Sequence, residues 1–383
     1  MKKICVIITN RAHYARGKLV LKAINEHPEL ELQLIVAGSA LIDKYGKIIN
    51  RIEEDGFKIN KKITMLLEGG TPTAMAKTTG VGLLEFSTAF ENLEPDIVLI
   101  RGDRYEILAP AIAAAYLNIP LAHIEGGDVT GTIDESVRHA VTKLAHIHFA
   151  TNETSKERIL KMGEIPENVY NVGSPDAEFL NSQDLTFNPN EIWKGETIGV
   201  GERPDLSKKY LIIMQHPVTT EHKKSKEQTE ETIKAIHELK MPTIWIWPNV
   251  DAGTDELSKA VRVYRENTEQ NHIQFVRFLD PTLFAKLLKN ASCIVGNSSA
   301  GIKESSFLGT PAVNIGTRQQ GRLKDKNVID VSHDSEEIKE AILKQIKNGN
   351  YNQSDLYFKP DTSKQIANTL AESKIKVQKR LNY

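Results

Sequence analysis

Short β-branched runs alternate with helix-length amphipathic segments along almost the whole chain, and this rhythm restricts the fold more than any other feature. Strands that are apolar throughout are buried on both faces, which means parallel sheets covered by helices on either side. In the first half the strand-like runs are Ile4–Thr9, Leu32–Ala37, Ile97–Arg101, Leu121–Ile124 and Ile147–Ala150. Helical stretches at Gly17–Asn25, Val81–Leu93, Pro110–Leu117 and Glu135–Leu144 lie between them. A polar segment, 181–208, breaks the rhythm with several Pro, Gly and Asn. The alternation restarts with Tyr210–Gln215, Thr243–Trp247, Ile273–Phe278, Cys293–Gly296, Ala312–Ile315 and Val328–Val331, and a last helical stretch covers Ser363–Lys379. The chain, at 383 residues, exceeds what one hydrophobic core usually supports. The expected organisation is a Rossmann-like domain over 1–180, a linker over 181–208 and a second Rossmann-like domain over 209–360. Residues 361–383 are expected as a helix packing back on the first domain.

Two doubly wound α/β domains facing a cleft form a glycosyltransferase-B-like architecture. The formal charge of -1 argues against nucleic acid as a partner, because a polyanion binder carries a basic excess. No run reaches the ~20 apolar residues of a membrane span. The N-terminal apolar run of about seven residues is shorter than a signal peptide requires, so a strand and a cytoplasmic location are expected. Cys5 and Cys293 each sit in an apolar run and read as buried thiols. Asn10-Arg11 stands where a dinucleotide enzyme would place G-x-G-x-x-G, and no Walker-A sequence occurs. His146 and His148 share a strand face with no third ligand beside them, so they read as structural. No metal and no cofactor are expected.

In such sheets ligands bind beyond the carboxyl ends of the strands. There the second half offers Gly296-Asn297-Ser298-Ser299-Ala300-Gly301, opening a helix near Ile302. Small residues let backbone N–H groups approach closely and a helix N-terminus adds a positive end, which suits a diphosphate; a Ser-capped turn is the plainer reading. Arg318 in the next turn brings a cation towards the same rim, and Glu304, one turn into the helix, is placed to accept from ribose hydroxyls. The first half offers carboxylates instead: Asp103, Glu125, Asp128, Asp134 and Glu135. Carboxylates grouped in one site drive their pKa values apart, giving an acid and a base together, and they stabilise positive charge on a sugar ring. Phosphate grip in one domain and carboxylates in the other suggest cleavage of a sugar–diphosphate bond.

The ordered series TNRAHY, Gly102-Asp103-Arg104, HIEGGDVTGTIDESVRHAVTKLAH, QHPVTT, WPNVDAG, GNSSAGIKES and GTRQQGR resembles the UDP-N-acetylglucosamine 2-epimerase family, from strand one to at least Arg322. Non-hydrolysing bacterial members typically carry a Glu-Ala-Gly-Leu-Arg-Thr type sequence at the position of Glu125–Thr130. The departure here points to the hydrolysing branch. The resemblance implies UDP-N-acetylglucosamine plus water giving N-acetylmannosamine plus UDP through a 2-acetamidoglucal, for sialic acid-type sugars. It implies acid/base and stabilising roles for Asp103, Glu125 and Asp134 or Glu135, and contact of His216 and Arg11 with the diphosphate. Arg16, Arg104, Asn249, Ser298, Ser299, Gly301, Glu304 and Arg318 are implied in binding sugar or nucleotide.

His13 and Arg16 depart from the Asp and Lys common in relatives, which bears on the sugar. The same chemistry on a UDP- or GDP-2,4-diacetamido-2,4,6-trideoxyhexose, for legionaminic-type acids, is the nearby alternative. A glycosyltransferase of the same architecture and a nucleotide-sugar sensor are alternatives from other classes. Arg262 and Arg265 lie on the helix that carries feedback control in the mammalian enzyme, but their spacing is shifted, so they read as solvated charges. A homo-dimer or homo-tetramer is implied by the family alone.

Overall fold

The computed structural model describes residues 1–42, 48–189, 192–193, 199–248, 251–268, 272–277 and 279–382. The chain divides into two compact units. The first comprises Met1–Asp128, Ile133–Phe179 and the chain from Tyr357 onward, and the second comprises Val129–Thr132 and Leu180–Leu356.

The first unit is built on β1 (Lys2–Ile8), β2 (Leu30–Ala37), β3 (Lys61–Ile63), β4 (Ile97–Arg101), β5 (Leu121–Ile124), β6 (Ile147–Ala150) and β7 (Val169–Asn171). They form a seven-stranded sheet in the order β3-β2-β1-β4-β5-β6-β7, parallel throughout. Strand β1 shows why its run is apolar without alternation. Ile4, Val6 and Ile8 enter the core on one face, while Cys5 and Ile7 enter the core on the other. Burying each such side chain contributes roughly 1.5–3 kcal/mol.

Helices depart from the sequence reading at several ends, and the one expected from Val81 begins at Pro72 behind a Thr71 cap. The first begins at Arg11 rather than Gly17, because Asn10 caps it: its Oδ1 accepts from the His13 N–H at 2.9 Å. The last covers Thr362–Glu372 and does not continue to Lys379. Lys2 Nζ takes its terminal carbonyls, donating to Leu370 and Ala371 at 2.8 Å and to Ser373 at 2.9 Å. This helix buries Ile366, Ala367 and Leu370 against the first helix.

Beyond it the chain runs on without helix. Val377 O accepts from His146 Nε2 at 2.8 Å, and Lys379 Nζ lies 2.7 Å from Glu164. Burial alone would raise the Glu164 carboxyl, but hydrogen bonds from His148, Lys143 and Lys379 outweigh it and pull it down to about 2. Burial also holds His148 below the ordinary imidazole value of 6.5. Both groups bind protons more weakly folded than unfolded, so the stability they contribute is lost as pH falls. The imidazole share goes as pH drops below 6.5, and the carboxylate share between 4.5 and about 2. Thermal melts followed by circular dichroism between about pH 5 and about pH 2.5 should show a falling midpoint that Glu164→Gln flattens. An unchanged slope in that variant would refute the assignment.

The second unit holds β8 (Gly199–Val200), β9 (Leu211–Met214), β10 (Thr243–Ile246), β11 (Ile273–Val276), β12 (Cys293–Gly296), β13 (Ala312–Ile315) and β14 (Val328–Val331). Their order is β14-β13-β12-β9-β10-β11-β8, parallel except for β8. The polar segment 181–208 therefore contributes an edge strand, antiparallel to β11, and buries Ile192 and Leu206. Trp245 lies at the centre of this core with Leu211, Ile213, Phe275 and Val295. Cys5 and Cys293 are both buried free thiols. No described helix is long and apolar enough to cross a membrane.

Candidate active site

Each sheet reverses its winding once, between β1 and β4 in the first unit and between β9 and β12 in the second. The crevice at such a reversal, beyond the carboxyl ends of the strands, is where open α/β sheets bind ligands. After β1 and β4 come Asn10–His13 and Gly102–Arg104; after β9 and β12 come His216 and Gly296–Ser299.

In the first unit, Asp103 and Glu125 are each held by a buried arginine. Arg138, on the helix Ile133–Leu144, hydrogen-bonds Asp103 through Nη2 and the Asp128 carbonyl through Nη1 at 2.9 Å. Arg101, the last residue of β4, donates to Glu125 at 3.2 and 3.3 Å. Guanidinium against carboxylate favours the ionised acid in both cases. Arg104 Nε donates to Glu106 Oε1 at 3.3 Å. Arg16 stands 3.9 Å from Asp176. Burial pulls the Arg11 guanidinium down to about 10, so it stays charged at neutral pH.

His13 is buried with its Nδ1 3.1 Å from Thr9 Oγ1. Burial, reinforced by Arg101 and Arg104, lowers its imidazole to about 3. Burial also lowers His123 to about 4; its Nε2 donates to the Gly102 carbonyl at 2.8 Å. Both rings are neutral at physiological pH. Asp134 and Glu135 occupy the first turn of the helix Ile133–Leu144, and Glu135 lies 3.4 Å from His139. Asp128 is buried and accepts from Ser155 Oγ at 2.6 Å, which ties it to the start of the helix Glu153–Lys161.

In the second unit Asn297 organises the site. Its Oδ1 accepts from the His216 N–H at 2.7 Å and its Nδ2 donates to the His216 carbonyl at 2.8 Å. Its own carbonyl accepts from Arg318 Nη1 at 3.1 Å and Gln319 Nε2 at 3.0 Å. His216 and Arg318 are thus gathered on one residue, the chain neighbour of Ser298, that the sequence reading used only as a spacer. Ser298 Oγ accepts from the Ala300 N–H at 3.3 Å, opening a 3-10 turn at Ser299–Gly301. The α-helix that follows is only Lys303–Leu308, so its dipole is short and the polar groups offered at this turn are backbone N–H groups and side chains. Glu304 is buried on this helix. At Gly301 a side chain would meet nothing nearer than 4.0 Å, so close packing does not require that glycine. Asn249 lies outside the described residues. The Gly131 N–H donates to the Arg318 carbonyl at 3.2 Å, so the 129–132 loop rests on the same turn.

Arg101, Arg138 and Asp176 carry the two site carboxylates, and none was singled out from sequence. The signal for Arg101 was present: a charged residue ends an otherwise wholly apolar strand, Ile97–Arg101.

Comparison with known proteins shows the family and the fold. A family model described as UDP-N-acetylglucosamine 2-epimerase matches residues 22–371. A Legionella pneumophila protein named UDP-N,N'-diacetylbacillosamine 2-epimerase (hydrolyzing) is 36% identical over 335 residues, 86% of this chain and 85% of that one. The GDP/UDP-N,N'-diacetylbacillosamine 2-epimerase (hydrolyzing) of Campylobacter jejuni is 33% identical, covering 86% and 84%. A Neisseria meningitidis UDP-N-acetylglucosamine 2-epimerase is 33% identical, covering 94% and 92%. Among solved structures, a Neisseria meningitidis UDP-GlcNAc 2-epimerase bound to UDP-GlcNAc superposes with a TM-score of 0.79 at 16% identity, over 97% of this chain and 100% of that one. That likeness establishes the glycosyltransferase-B-like fold. The chain belongs to the UDP-N-acetylglucosamine 2-epimerase family.

Proposed function

We propose that the protein is a hydrolysing 2-epimerase of a nucleoside diphosphate 2,4-diacetamido-2,4,6-trideoxyhexose, releasing the free 2-epimeric sugar and the nucleoside diphosphate. The observation that carries this reading is that the relatives at 36% and 33% identity from Legionella and Campylobacter both bear that activity in their names. UDP-N-acetylglucosamine is the second reading, supported by the Neisseria relative at 33% identity over 94% of the chain.

The chemistry is the same for either sugar. The C1–O bond breaks and its electron pair leaves with the diphosphate. Positive charge develops at C1, and a carboxylate removes the C2 proton to form the 2-acetamidoglucal. Water then adds across the double bond, hydroxyl to C1 and a proton to C2 from the opposite face. The C2–H is barely acidic, so departure of the diphosphate must lead, and the ionised Asp103 and Glu125 stabilise the charge that forms. Exchange of the C2 proton falls to these carboxylates with Asp134 or Glu135. Arg11, His216, Arg318 and the Ser298–Gly301 turn receive the diphosphate charge, while Glu304 and Asn249 serve the nucleoside. Arg16 and Arg104 line the sugar end.

Incubation with each sugar nucleotide in heavy water, followed by NMR, tests the reading. The expected products are UDP or GDP and a free sugar carrying deuterium at C2, formed without any acceptor, with faster turnover of the diacetamido substrate. Accumulation of an epimerised sugar nucleotide would overturn the hydrolytic assignment, and a requirement for an acceptor would indicate a transferase. Binding with no turnover of any of these compounds would indicate a sensor.

A further inference from the structure

Glu125 follows β5 with φ 74, in the left-handed region that a side-chain-bearing residue occupies only when its surroundings hold it there. Its carboxylate is gripped by Arg101. Nε donates to Oε2 at 3.3 Å and Nη2 to Oε1 at 3.2 Å, a two-point fork that fixes the plane of the acid. The same Nη2 donates to Oδ1 of Asp176, in the first turn of the helix Pro175–Asn181. Arg101 is 8% exposed and Asp176 2%.

A buried ion pair is weak evidence for stabilisation, because desolvation offsets its attraction and an apolar pair would fill the space as well. This one also leaves buried polar atoms unsatisfied: Nη1 of Arg101 and Oδ2 of Asp176 have no hydrogen-bond partner among the described residues. Its geometry is spent instead on one acid at the strand ends. We infer that Arg101 and Asp176 are positioning residues for Glu125. Arg101 aims the carboxylate and keeps it ionised, and Asp176 anchors Arg101. The inference rests on the proposed function, in which Glu125 takes part in proton exchange with the sugar.

Charge and orientation are separable here. Around Glu125 stand Arg101 from β4, which bonds it, and the rings of His13 from the first helix and His123 on β5, while Asp176 from the helix Pro175–Asn181 and Arg16 lie against the far side of Arg101, and Arg104 acts on His13. Both imidazoles are held neutral by burial, at about 3 and about 4, so neither titrates near neutral pH. Arg101→Met removes the fork and the positive charge. Arg101→Lys keeps the charge and loses the fork. Asp176→Asn keeps the shape and removes the anchor's negative charge.

The experiment measures kcat, KM and the pH profile of the full-length variants with the sugar nucleotide that the wild type turns over, with UDP affinity by calorimetry as the folding control. Arg101→Lys should lower kcat by about 10–100-fold with KM within about threefold and the acidic limb unmoved. Arg101→Met should lower kcat at least as much and raise the acidic limb by about half a pH unit or more. Asp176→Asn should lower kcat by about 3–10-fold without raising that limb. If Arg101→Met does not fold, the other two variants decide. The inference is overturned if all folded variants retain wild-type kcat, or if kcat falls only in step with the UDP-binding fraction while the limbs stay fixed. Absence of any wild-type turnover would instead overturn the proposed function, and the inference with it.

Discussion

Glu125→Gln and Asp103→Asn are expected to lower kcat by about 10²–10⁴-fold while UDP affinity stays within about twofold. Both amides keep the shape of the acid and lose its charge. They remove the stabilisation of positive charge at C1 and, at whichever position exchanges the C2 proton, the proton acceptor. Of the groups proposed to hold the nucleotide, all but Arg11 belong to the second unit, so calorimetric UDP titration reports whether binding survives. Folding should survive in Glu125→Gln because Arg101 retains Asp176 as a charged partner. Asp103→Asn removes the negative charge that faces the buried Arg138 guanidinium, so a lower melting temperature is expected there as well. Retained turnover in either variant would remove that carboxylate from the mechanism. Parallel loss of turnover and UDP binding would show that the substitution acts through the fold.

Gly296→Ala should destroy nucleotide binding outright. Gly296 ends β12 with φ 131, and a Cβ there would stand 2.2 Å from the Met214 carbonyl oxygen and 2.6 Å from its carbon. These are backbone atoms of the neighbouring strand β9, which no rotamer change moves aside. Strain at the glycine φ and the clash together are expected to cost about 3 kcal/mol or more. Asn297 follows directly, so the displacement reaches its paired hydrogen bonds to His216. Solubility, melting temperature and UDP titration check this. A soluble variant with native UDP affinity would mean that the strand end yields more readily than its geometry implies.

The strand skeleton was legible in the sequence because strands buried on both faces read as unbroken apolar runs. Leu121–Ile124, Ile147–Ala150, Cys293–Gly296 and Ala312–Ile315 are buried throughout, whereas Val328–Val331, interrupted by the exposed Asp330, is legible through its β-branched residues. Helix ends were less legible, because tertiary contacts set them. The first turn at Arg11 depends on a cap by Asn10, and the stop at Glu372 depends on Lys2. The short β8 was hidden because an edge strand of Gly199 and Val200 has no periodicity to read. At the candidate site, residue types at strand ends pointed to carboxylates and a phosphate turn. Their partners did not show: nothing in the spacing of Arg101, Glu125 and Asp176 says that one guanidinium bridges two acids. Asn297 was hidden likewise, since its work is done by hydrogen bonds to a strand end far away in sequence.

The first unit completes the helical cover of its sheet from pieces that are far apart in the chain, and this orders its birth on the ribosome. Ile366, Ala367 and Leu370 complete the apolar layer over Val20, Leu21 and Ile24. Thr362 Oγ1 donates to the Val172 carbonyl at 2.7 Å, and Lys2 closes the helix end. All of β1 to β7 emerges before these residues, and the second unit, Leu180–Leu356, is translated in between. The first domain to be made is therefore the second to be finished. Until Leu370 leaves the exit tunnel, a strip of apolar surface on the early helix stands open to water, and chaperones have their longest opportunity there.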